Sequence, residues 1–79
     1  MLDKINNYLL DSEYKLTVFE DKIHLINYKK LLVLEDEKIV LSTNNTIVTI
    51  TGEKLSLKKL LQNEVLLSGV IRKIEVNYA

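Results

Sequence analysis

The chain has 79 residues and a mass of 9.2 kDa, with 11 basic side chains against 11 acidic, a pI near 6.6 and no cysteine. A chain this short holds one core and buries only about 60% of the surface its unfolded form exposes, so residues 1–79 read as a single domain stabilised by that core or by partners. The missing cysteines exclude a disulfide scaffold, a thiolate zinc site and an iron–sulfur cluster, and the balanced charge argues against a dedicated nucleic-acid binder, whose affinity rests on a basic surface. Apolar runs are a few residues long, far short of the roughly 20 that cross a bilayer, and the N-terminus has neither a basic leader nor an apolar export core. The expectation is an intracellular, cytoplasmic protein.

Ile, Val and Thr are plentiful, Ala occurs once, at position 79, and Pro is absent, so the composition predicts an all-β fold. Helix is confined to the start, where Leu2, Ile5 and Leu9 follow a three-then-four spacing and Asp3 is placed to cap a short helix over residues 2–10. Two to three turns persist only when docked. Residues 14–78 then follow a period of two. Leu16 and Val18, and Ile23 and Leu25, flank the charged turn Glu20-Asp21 as a first hairpin. The continuous apolar run at residues 31–34 predicts a strand covered on both faces, followed by a turn at Asp36-Glu37. Ile39 and Leu41 pair across the turn Asn44-Asn45 with Val48 and Ile50, in residues that tolerate positive φ. Gly52 is expected to end that strand, and Leu55 and Leu57 to begin another. Residues 58–61 fit either strand or one helical turn, and Gln62-Asn63-Glu64 makes the next turn. Between Leu67 and Ile71 and the set Ile74, Val76 and Tyr78 the apolar parity slips, which predicts a bulge near residues 69–72. The pattern describes an antiparallel meander of about seven or eight short strands forming a small barrel or two-layer roll.

Little in the chain suits catalysis. His24 is the single imidazole and falls on the polar phase of a strand, without a nucleophile or a metal-ligand spacing around it; a carboxylate–His site would need Asp21 or Glu37 beside it in a cleft. Glu35, Asp36 and Glu37 lack the alternation and the glycine of a calcium loop and read as a solvated turn. Gly52 and Gly69 are the only glycines, too few for a phosphate-cradling loop, and their expected role is conformational. No enzyme, cofactor, metal or small-molecule substrate is expected. The lysine pairs Lys29-Lys30 and Lys58-Lys59, with Tyr28 beside the first, would line a nucleic-acid groove only if they converged on one face.

The order of elements carries a resemblance. Ile26-Asn27-Tyr28-Lys29-Lys30-Leu31-Leu32, then Ile39 opening a strand, then Ile50-Thr51-Gly52-Glu53-Lys54-Leu55, then Leu67-Ser68-Gly69-Val70-Ile71 with Ile74 three residues on, is similar to the YabP/YqfC sporulation protein family. The likeness spans residues 16–78. It implies a small non-enzymatic protein of endospore-forming bacteria, made during sporulation and acting on the mother-cell side of the developing spore. A structural or adaptor module for a protein partner is the leading expectation, with a membrane protein of sporulation or a second copy among the candidates, recruited through unpaired strand edges. Asn27, Tyr28, Gly52 and Gly69 are the candidate interaction or conformational residues. The alternative is a small nucleic-acid-binding barrel of Sm-like or SH3-like type.

Overall fold

The structure is a computed structural model that describes residues 13–79. The helix expected over residues 2–10 lies outside the described residues. The remainder is all-β: β1 (Lys15–Val18), β2 (Lys22–Ile26), β3 (Lys30–Leu34), β4 (Lys38–Ser42), β5 (Thr46–Leu60) and β6 (Glu64–Tyr78). They form one antiparallel sheet in the order β1-β2-β6-β5-β4-β3. β3 to β6 is an uninterrupted meander, and the β1–β2 hairpin docks on the far side of β6. The sheet stays open, with β1 and β3 as its end strands.

Six strands replace the expected seven or eight because the break expected at Gly52 is a bend within one long strand. β5 and β6 are 15 residues each and cross the whole domain. Residues 46–53 of β5 pair with residues 70–78 of β6 on one layer, flanked by β4. Residues 56–60 of β5 pair with residues 65–68 of β6 on the other, flanked by β2. The hairpin has three register shifts, of which the one between Glu53 and Ser56 separates the halves and the one at the Thr51–Gly52 step inserts Arg72, inside the bulge that the parity slip predicts. Residues 58–61 resolve as strand through Leu60. Gly52 does not end a strand, as expected from the sequence, but lies buried within β5 at the bend, where a Cβ would stand 1.9 Å from the Val70 carbonyl oxygen. Gly69 lies against residues 53–55 at the same bend with φ of 135°, and a Cβ there would stand 2.7 Å from the Lys54 carbonyl oxygen. Lys54 itself adopts a positive φ of 53°.

Folding the long hairpin over itself brings the two layers face to face. Ile23 and Leu25 of β2 and Val65 and Leu67 of β6 meet Ile39 and Leu41 of β4 and Val48, Ile50 and Leu55 of β5 in one buried cluster. Outside β4, where Val40 between Ile39 and Leu41 is buried as well, the core residues of each strand alternate with more exposed ones, the period-two pattern of a half-buried sheet. The expected turns at Glu20-Asp21, Asp36-Glu37, Asn44-Asn45 and Gln62-Asn63 are all present, each closed by a main-chain hydrogen bond between its flanking residues.

The Asn44-Asn45 turn carries a further buried lock. The Thr43 and Thr46 hydroxyls lie 2.6 Å apart, and the Thr46 amide donates to Thr43 Oγ1 at 3.1 Å. Replacing Thr43 by Val leaves that amide without its acceptor and the Thr46 hydroxyl without its partner inside the protein and is expected to cost about 1–3 kcal/mol in urea unfolding, whereas Thr43→Ser keeps the oxygen and most of the stability.

Candidate functional site

Unlike the expectation of a strand covered on both faces, β3 is an end strand with alternating exposure. A bulge explains its continuous apolar run. Leu31 is opposite Leu41 and Leu34 is opposite Ile39, with the extra residue Leu32 between them, so Leu31 and Leu34 both fall on the core-facing side although they are three apart. In spite of that position, Leu34 is 49% exposed while its register partner Ile39 is 0% exposed. The end of β5 repeats the feature: Leu60 is opposite Val65, which is 0% exposed, yet is itself 51% exposed. Half-exposed leucines therefore leave an opening at the rim of the core along one side, while the core residues behind them stay buried.

Two hydrogen bonds bracket this opening. At one end the Tyr28 hydroxyl, from the β2–β3 link, donates to the Leu61 carbonyl at 2.7 Å; at the other the Leu55 amide donates to the Asp36 carbonyl at 2.8 Å. β3 and the second half of β5 thus span the same interval in opposite directions, yet among the described residues β3 pairs only with β4, and that half of β5 only with β6. Between them runs a seam flanked by two main-chain edges that no described residue pairs.

The four residues singled out from the sequence fall at the two ends of this seam and do not share one site. Asn27 has a positive φ of 66°, its amide donates to the Asn63 carbonyl at 2.6 Å, and its side-chain amide donates to the Glu13 carbonyl at 2.5 Å. Tyr28 is half-buried against the core. Both hold the β2–β3 link against the β5–β6 turn. Gly52 and Gly69 make the bend at the opposite end, where the Gly52 amide donates to the Glu37 carbonyl and the Gly69 amide to the Asp21 carbonyl. Tyr28→Phe removes the hydroxyl tie without removing the packed ring. Its expected effect is a loss of about 0.5–1.5 kcal/mol, with faster amide exchange at Leu61.

The lysine pairs come together. Because residue 28 lies against residue 61, Lys29-Lys30 and Lys58-Lys59 flank the same end of the seam, all four exposed. None has an acidic partner among the described residues; the ion pairs there are Lys22–Asp21, His24–Glu64, Arg72–Glu53 and Lys73–Glu75. Glu35, Asp36 and Glu37 occupy the other end. Sequence reasoning noted the lysine pairs but missed Leu34 and Leu60, whose exposure follows from long-range pairing alone.

His24 bonds Glu64 Oε1 at 2.8 Å on the outer side of β2 and β6, instead of facing Asp21 or Glu37 in a cleft. No group of three or more His, Asp or Glu side chains gathers as a metal centre among the described residues. No helix there is long and apolar enough to cross a membrane.

A search of curated proteins finds no match to the chain. The sequence model of the YabP family matches residues 11–78, which covers all six strands and both ends of the seam. The chain belongs to the YabP family, the sporulation-associated family that its element order resembles.

Proposed function

We propose that this protein is a non-enzymatic adaptor of endospore morphogenesis that works on the mother-cell side by binding a protein partner. The observation that carries this reading is the seam between β3 and β5, where half-exposed leucines on core-facing positions adjoin main-chain edges that no described residue pairs. Such edges recruit a further strand by main-chain hydrogen bonding, and monomeric proteins usually cover or charge them. Membership of the YabP family supports a sporulation-related role.

The test is the titre of heat-resistant spores from the source organism with the gene deleted and then restored. A titre lowered by orders of magnitude and recovered on complementation supports the adaptor; an unchanged titre removes the sporulation role and leaves the fold.

A further inference from the structure

The seam distinguishes its two sides chemically. Leu34 and Leu60 lie on the core-facing side of their strands, opposite the buried Ile39 and Val65. Lys30 is opposite Ser42, and Lys59 is opposite Leu66; both partners alternate with core residues, which places the two lysines on the outer side. Apolar side chains thus line the inside of the opening and cations line its outer lip at the Tyr28 end. A strand is the one backbone form whose successive side chains point to opposite faces. A bilayer surface would need the leucines and lysines on one face.

We propose that the seam binds an extended segment of a partner protein in which apolar and acidic residues alternate. Deepening the adaptor reading on which it rests, this assigns the partner's chemistry. The segment adds to the free edge of β3 by main-chain hydrogen bonds. Its apolar side chains enter the opening onto Leu34 and Leu60, and its carboxylates turn outward to Lys30 and Lys59. The acidic residues sit toward the Tyr28 end of the seam, because Glu35, Asp36 and Glu37 repel them from the other. The Tyr28–Leu61 and Leu55–Asp36 bonds fix the two ends of the seam before binding, so little order has to be acquired on association.

The test is selection of random displayed peptides on the full chain, followed by titration of the strongest as a synthetic peptide. Sequences that alternate apolar and acidic residues are expected to be enriched. Affinity is expected to fall about tenfold or more in the double variant Lys30→Glu and Lys59→Glu and in Leu34→Asp, with peptide contacts mapping to β3 amides by NMR. Melting of each variant within a few degrees of the parent keeps loss of binding separate from loss of fold. No enrichment, enriched peptides without acidic residues, or binding indifferent to the three substitutions overturns the proposal. So does binding of single-stranded RNA or of anionic vesicles that disappears in the same lysine variant, or self-association of the chain through β3. If deletion lowers the spore titre while the selection fails, the adaptor reading stands and the seam is not its surface.

Discussion

Gly52→Ala is expected to destabilise the protein by about 3 kcal/mol, seen as a melting temperature lowered by roughly 12–24 °C for a domain of this size. The cause is local. A Cβ at position 52 would stand 1.9 Å from the Val70 carbonyl oxygen and 3.2 Å from Leu55 Cδ2, and the nearer atom is backbone, which cannot rotate away. Relief requires β5 and β6 to separate where both bend, and that bend is what lays one layer on the other. A domain of 79 residues has roughly 4–12 kcal/mol of total stability, so the variant approaches the limit of folding at all. Thermal unfolding followed by circular dichroism checks it; a melting temperature within a few degrees of the parent would mean that the bend does not depend on Gly52.

A pair of leucine truncations tests the open seam itself. Leu25 is 0% exposed at the centre of β2, packed with residues of the opposite layer, and Leu25→Ala is expected to cost about 2–5 kcal/mol through lost burial and the cavity left behind. Leu34→Ala deletes the same atoms from a position that shares the core-facing side of its strand, yet the expected cost is about 1 kcal/mol or less, because half of that side chain is already in water. Urea unfolding of both, with unchanged slope, measures the difference directly. Equal costs would mean that the seam closes in solution.

Much of this architecture was legible in the residues. Polar turns between alternating runs located the four tight hairpin turns, and the parity slip after Leu67 located the bulge that holds Arg72, because each is a local property of the chain. Long-range pairing was not legible. Nothing near Ile23 and Leu25 says that β2 joins β6, forty residues on, and without that pairing the apolar run of β3 looks like a strand buried on both faces. Gly52 illustrates the same limit, since a glycine that ends a strand and a glycine that lets two backbones meet inside one are identical in sequence. For the candidate site, Tyr28 and the lysine pairs stood out by type and spacing. The tie to Leu61 that brings the lysines to one place, and the exposure of Leu34 and Leu60 beside them, arise from how the layers close.

The most direct test of the central claim, that the seam is the working surface, is the spore titre of a strain whose only copy of the gene carries Lys30→Glu and Lys59→Glu. Both residues are exposed and without acidic partners among the described residues, so the variant protein is expected to fold and accumulate normally. The account predicts a titre as low as that of the deletion strain. A titre equal to the parent's, with the deletion strain defective, would contradict it.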